Sequence, residues 1–291
     1  MRSVSKRQLA SITLWHIALL IASIIWLATA LSAQAATKLD GSEPLVFGIV
    51  PQQSSAKLIR DWSPVIKQVS ELSGLQIRFA TAPNIPEFEK RLAAGQYHLA
   101  YMNPYHFTVF NQSPGYQAIA HVKDKRIRGI LVTSKHSNTT SLKDLDGKNV
   151  AFPAPAAFAA TLLTQAALKN EGVTFKPYYV GSHDSAYLAV ADGLFDAGGG
   201  IIRTLGATPE NTKKKLNVLF TTEGFTPHAV ATHPSLSDDT KKRLQAAFVA
   251  LADNPEGKAA LKTLNMKGFQ SATDADWDDV RALNISVINP D

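Results

Sequence analysis

The stretch Gly181 to Arg203, GSHDSAYLAVADGLFDAGGGIIR, constrains the fold more than any other part of the chain. It opens on a turn, Gly181-Ser182-His183-Asp184. Apolar residues then recur at Tyr187, Leu188, Val190, Ala191 and Leu194, the spacing of one helix face. Gly193 predicts the helix stop, because glycine tolerates the left-handed conformation that ends helices. Phe195-Asp196-Ala197 re-enters as a strand, and Gly198-Gly199-Gly200 lets another part of the chain come close to the backbone. An earlier segment, Leu92 to Pro104 (LAAGQYHLAYMNP), follows the same plan. Its Ala94–Ala100 align without gaps on Asp192–Gly198, 98 positions later. A helix, a glycine stop, an aromatic and a strand thus occur twice, which predicts two similar lobes facing each other.

The rest of the chain supports an α/β class. Strands are expected at Leu45–Val50, Leu75–Ala80, Tyr97–Met102, Gln117–Val122, Gly129–Ser134, Asn149–Phe152, Lys176–Val180, Leu216–Thr221 and Ala229–Thr232. Helices alternate with them, and only helices are expected after about residue 234. The first helix carries Leu58, Trp62, Val65, Ile66 and Val69 on one face, with Pro64 expected to kink or split it. Pro153 to Thr161 opens another helix just beyond a strand end, where orphan N–H groups and the helix dipole favour an anion. Asn103-Pro104-Tyr105-His106 also follows a strand end, the usual ligand position in open α/β sheets.

Composition narrows the class. Of 291 residues 45% are hydrophobic and 19% charged, so the chain is globular. The absence of cysteine excludes disulfides, thiol catalysis and cysteine-ligated metal. Arg2, Lys6 and Arg7 precede an uncharged apolar run, Ile17–Leu31, and then Ala33-Gln34-Ala35, so residues 1–35 read as a cleaved signal peptide. Retained, the longer stretch Leu14–Ala36 is just long enough to serve as a membrane anchor. Removing residues 1–35 lowers the formal charge from +6 to +3, with 27 basic and 24 acidic residues left. No basic stripe argues for nucleic acid, and the Lys213–Lys215 run reads as a solvated face. No catalytic or phosphate-loop motif occurs, and the histidines are too scattered for a zinc site, so neither enzyme activity nor a cofactor is expected.

With these segments in place the chain resembles the solute-binding proteins of ABC transporters for phosphate, phosphite and phosphonate. The resemblance covers about residues 44–285. It rests on FGIVPQQ (Phe47 to Gln53), Gly95 to Pro104, SLKDLDGKNVAF (Ser141 to Phe152), Gly181 to Ala197 and the closing WDDVR (Trp277 to Arg281). It implies a two-lobed type II periplasmic binding fold whose two crossing strands form a hinge. The first lobe would take residues 44–128 and the second 129–233, with 234–291 returning to the first. The crossings are expected near Arg126–Gly129 and His228–His233. The chain would act as a monomer, trap a small anion and deliver it to an ABC permease. The alternative is a sensory protein reporting to a membrane kinase or cyclase.

One departure stands out. Phosphonate-binding members carry Ser and Thr hydroxyls at the helix start that here reads Ala156-Ala157-Phe158-Ala159-Ala160. Each charge-assisted hydrogen bond lost is worth about 1.5–3 kcal/mol. The implied ligand is therefore a phosphonate- or phosphate-like oxyanion held by backbone donors, a different oxyanion, a larger or less charged molecule, or something with an aromatic part. The candidate ligand-binding residues are Gln52, Gln53, Tyr101, Asn103, Tyr105, Ala156, Ala157, Phe158, Ser182, His183, Arg203 and His228. Several have a structural alternative: Tyr101 as core, Asn103 as the shaper of the Pro104 turn, His183 as a helix cap. Asp184 reads as the cap of its helix before it reads as a ligand contact.

Overall fold

Among the described residues, eleven strands fall into two sheets that share one plan. The computed structural model describes residues 38–288, so the expected signal peptide lies outside the described residues. The strands are β1 (Leu45–Ile49), β2 (Ile77–Ala80), β3 (Leu99–Met102), β4 (Gln117–Val122), β5 (Gly129–Ser134), β6 (Asn149–Phe152), β7 (Lys176–Tyr179), β8 (Ala197–Ile201), β9 (Leu216–Thr221), β10 (Ala229–Thr232) and β11 (Phe269–Ser271). The helices are α1 (Ser55–Ser73), α2 (Ile85–Ala93), α3 (Pro104–Phe110), a π-helix (Phe158–Leu163) running into α4 (Thr164–Asn170), α5 (His183–Ala191), α6 (Ile202–Gly206), α7 (Glu210–Lys213), α8 (Asp238–Ala250), α9 (Pro255–Thr263) and α10 (Asp278–Arg281).

The first sheet runs β11-β4-β10-β3-β1-β2 and the second β9-β5-β8-β6-β7. In the first, β1 pairs in parallel with β2 and β3, and β10 lies antiparallel between β3 and β4. In the second, β6 pairs in parallel with β7 and β8, and β5 lies antiparallel between β8 and β9. The repeated helix–glycine–strand units are α2 with β3 and α5 with β8. They occupy equivalent places, and their stop glycines Gly95 (φ 63°) and Gly193 (φ 74°) both adopt the left-handed conformation.

The chain crosses between the sheets twice, after β4 and after β9. The crossings pair at a single bridge, where Ile127 N–H donates to Phe225 O at 2.8 Å and Phe225 N–H to Ile127 O at 3.0 Å. This corrects the expected second boundary. The resemblance puts Ala229–Thr232 in the second lobe, but β10 belongs to the first sheet, where it fills the gap between β3 and β4 as an antiparallel strand. Val230 pairs there with Tyr101 on one side and Ala120 on the other. A second correction is β11, a short edge strand on β4 in a region read as helical. A third is α1, which runs through Pro64 as one helix. The carbonyl that Pro64 cannot bond belongs to exposed Arg60 and is open to water. The buried face of Leu58, Trp62, Val65, Ile66 and Val69 holds the helix.

In the first lobe, Phe47 on β1 packs edge-on against Trp62 and Phe248, and α8 and α9 close over α1. In the second lobe the glycine run explains itself. A Cβ on Gly199 would meet the Ala160 carbonyl oxygen at 2.0 Å, one on Gly129 the Ala159 oxygen at 2.0 Å, and one on Gly200 the Tyr187 hydroxyl at 2.0 Å. These glycines let the π-helix and α5 press directly onto β5 and β8, which places the helix start beside the crossing.

Candidate ligand-binding cleft

The loops that leave the carboxyl ends of β1, β3, β6 and β8 meet between the lobes, together with the start of α5 and the end of the second crossing. Gln52 follows β1 and is their meeting point. Its amide oxygen accepts from Arg203 Nη2. Its Nε2 therefore faces His228 Nε2, 3.0 Å away, and donates to it, which puts the His228 proton on Nδ1. Its backbone carbonyl accepts from His183 N–H across the cleft at 3.0 Å.

Asn103 follows β3 and does two jobs. Its Oδ1 accepts from His106 N–H at 2.8 Å, capping α3, and its Nδ2 donates to the Ala156 carbonyl of the opposite lobe at 3.1 Å. Lys57 Nζ donates to the Ala207 carbonyl across the same cleft, and Gln53 Nε2 to Asp184 Oδ1 at 3.5 Å.

Two buried imidazoles flank this junction. His183 is 1% exposed, and its Nδ1 lies 3.1 Å from Thr204 Oγ1. Burial, reinforced by the nearby Arg203 charge, pushes its pKa down to about 3. His228 is stacked on Tyr101, centroids 4.9 Å apart at 17°, and is held well below the usual histidine range by burial and then by Arg203. Burial also raises the Tyr101 phenol and the Asp184 carboxyl. Arg203 carries the local positive charge, and among the described residues it forms no ion pair.

A small cavity of about 10 Å³ lies where these groups converge. Gln52, Asn103, His183, His228 and residues Ala157–Ala160 line it, with Ile85, Ile127 and Ile201 as apolar walls. That is space on the order of one water molecule. Thr161 and Leu162 N–H both bond to the Ala157 carbonyl, at 2.7 and 3.4 Å. The Phe158, Ala159 and Ala160 N–H groups precede this ladder and are the orphan donors of the helix start.

The structure thus brings together Gln52, Asn103, Ala157, Phe158, His183 and His228, with Arg203 bonded to Gln52. Phe158 also packs edge-on to Phe225 of the crossing, centroids 5.5 Å apart. Ala156 contributes its carbonyl, Tyr101 backs His228, and Gln53 sits at the cleft rim. Two candidates lie elsewhere. The Tyr105 hydroxyl accepts from Val287 and Ile288 N–H at 2.7 and 2.8 Å, so it fastens the C-terminal tail. Ser182 is the N-cap of α5, its Oγ accepting from Ser185 N–H at 3.1 Å, and it borders a rim pocket rather than the small cavity. This also displaces Asp184 from the cap role. Reading the sequence missed Lys57 and the walls Ile85, Ile127 and Ile201. Ile127 and Ile201 flank chain turning points, the one signal that marked them.

Comparison with known proteins identifies the family and the fold. The family described as "ABC transporter, phosphonate, periplasmic substrate-binding protein" matches residues 47–277. The chain belongs to this family of periplasmic substrate-binding proteins of phosphonate ABC transporters. It is 24% identical over 289 residues to the phosphate-import protein PhnD of Mycolicibacterium smegmatis, covering 85% of this chain and 87% of that one. Its fold is similar to a binding-protein component of an ABC phosphonate transporter from Pseudomonas aeruginosa, with TM-score 0.77, 20% identity and coverage of 83% and 85%. It is also similar to PhnD1 from Prochlorococcus marinus in complex with methylphosphonate, with TM-score 0.74, 19% identity and coverage of 83% and 98%. The type II periplasmic binding fold and the transport reading therefore stand, the latter over the signalling alternative.

Proposed function

We propose that this chain captures a phosphonate or phosphate oxyanion between its lobes, at the cavity beside the crossing, and presents the closed form to a membrane permease. The observation that carries the reading is the π-helix start. Its three orphan N–H donors belong to residues that line a cavity also bordered by Asn103, His183 and His228, each from a different segment. Backbone donors do not depend on side-chain identity, so the Ala-Ala-Phe-Ala-Ala run keeps its anion-binding capacity without hydroxyls.

Gln52 acts as a stand-in. Its amide oxygen takes the Arg203 donor that an oxyanion would take, and its NH₂ takes the His228 acceptor that a P–OH would take. A ligand entering the cavity displaces this side chain and inherits both partners. Closure then follows from contacts that ligand makes to both lobes at once. The protein works as a binder, not a catalyst, and as a monomer exported through a cleaved N-terminal segment.

Thermal unfolding of the purified protein with methylphosphonate, phosphite, phosphate and sulfate tests the reading. A ligand at 100 times its dissociation constant stabilises the fold by about 2.7 kcal/mol. A phosphorus oxyanion should raise Tm and sulfate should not. A Tm unmoved by every phosphorus compound would count against the proposal.

A further inference from the structure

A second cavity of about 340 Å³ lies against the crossing, within the size range of small-molecule sites. Ile127, Ile201 and His228 wall both this cavity and the small one, so the two adjoin. Its surfaces come from both lobes: Tyr101 and Met266 from the first, Ile202 and Arg203 from the second. The stacked Tyr101–His228 pair presents a flat apolar wall to it. Four cations stand round it, Lys125, Arg126, Arg128 and Arg203, and no carboxylate lines it. Arg126 is committed to Asp279 at 2.7 Å. Among the described residues the other three form no ion pair; Arg128 donates only to the Thr222 carbonyl at 2.9 Å.

The two cavities differ in chemistry. The small one offers neutral imidazoles, amides and backbone N–H groups, and has no room for a substituent. The large one offers apolar walls and uncompensated positive charge. We propose that it receives the substituent of the ligand, and that this substituent carries a negative charge of its own. The ligand class is then an organophosphonate or organophosphate with a second acidic group. Its phosphoryl end lies at the π-helix start, where it takes over Arg203 from Gln52, and its acidic end lies between Lys125 and Arg128. An uncharged apolar tail would use the walls but leave the cations unanswered. The inference rests on the oxyanion reading above.

Calorimetric titration of the purified protein with methylphosphonate, propylphosphonate and 3-phosphonopropionate separates the two claims. The acidic compound should bind at least about tenfold more tightly than propylphosphonate, the gain of one charge-assisted hydrogen bond. Lys125→Glu, at an exposed position, should erase that advantage and leave methylphosphonate affinity unchanged; a Tm equal to wild type shows the variant folded. Raised ionic strength should shrink the same advantage. Equal affinity for propylphosphonate and 3-phosphonopropionate, or an advantage that survives Lys125→Glu, overturns the acidic tail. Binding of methylphosphonate with rejection of both longer compounds overturns the pocket's role and leaves the oxyanion reading intact. Failure of all three to bind overturns both.

Discussion

His183 shows how burial sets the chemistry of a single residue. Its pKa lies near 3 in the folded chain against an ordinary 6.5. An unfolded chain therefore takes up this proton as pH falls below 6.5, while the folded chain resists until about 3. By linkage, stability is fully present above pH 6.5 and is lost as pH falls through this window. Melting at pH 7.5, 6.0 and 4.5 should show the decline, and His183→Asn should flatten it. An unchanged slope in the variant would show that other groups dominate. An anion placed beside the ring favours its charged form and raises its pKa, so the complex holds more protons than the free protein. Methylphosphonate affinity should then increase as pH is lowered from 7.5 to 5.5. Affinity that is flat or falling over that range would show that neither His183 nor the phosphoryl group facing His228 takes up a proton on binding. Gly199 is a second case. Gly199→Ala forces a Cβ against the Ala160 carbonyl, and overpacking of this kind costs about 1–3 kcal/mol or more. Urea unfolding that matches wild type would contradict the close approach of the π-helix to β8.

At the scale of elements, the crossing is held by the C-terminal segment. Asp279 Oδ2 accepts from Arg126 Nη2 at 2.7 Å and from Thr226 N–H at 2.9 Å, and Trp277 Nε1 donates to the Pro227 carbonyl at 2.8 Å. Asp279→Ala leaves the Thr226 amide without this acceptor and should cost about 1–3 kcal/mol, read as a lowered urea midpoint. A midpoint within error of wild type would mean the bridge at Ile127 and Phe225 suffices alone. The elements themselves were largely legible in the sequence, because helical spacing, left-handed stop glycines and apolar strand runs are local signals. The duplicated helix–glycine–strand unit is the best example, and it did mark equivalent strands β3 and β8. What stayed hidden was decided at long range. Ala229–Thr232 is four small residues that suit either sheet, and only its pairing to β3 and β4 places it. Tyr105 follows a ligand-bearing strand end, yet its hydroxyl answers to residues more than 180 positions later. The alanine-rich helix start gave no hint of π geometry, which reflects packing onto distant Gly129 and Gly199.

On the scale of the whole molecule, two sheets of the same plan exchange one strand position each through the crossings, and groups of one lobe bond the backbone of the other. The Gln52 carbonyl and the Asn103 and Lys57 side chains make those cross-cleft bonds, so Gln52 and Asn103, which border the small cavity, also hold the lobes together. In the proposed mechanism, capture and closure are thereby one event. The most direct test is backbone-amide NMR of the purified protein during titration with methylphosphonate. Binding at the helix start predicts that the Phe158, Ala159 and Ala160 amide protons move downfield together, as hydrogen bonds to an oxyanion form. Saturable binding that leaves these three amides unmoved would contradict the account, since the ligand would then be held somewhere else.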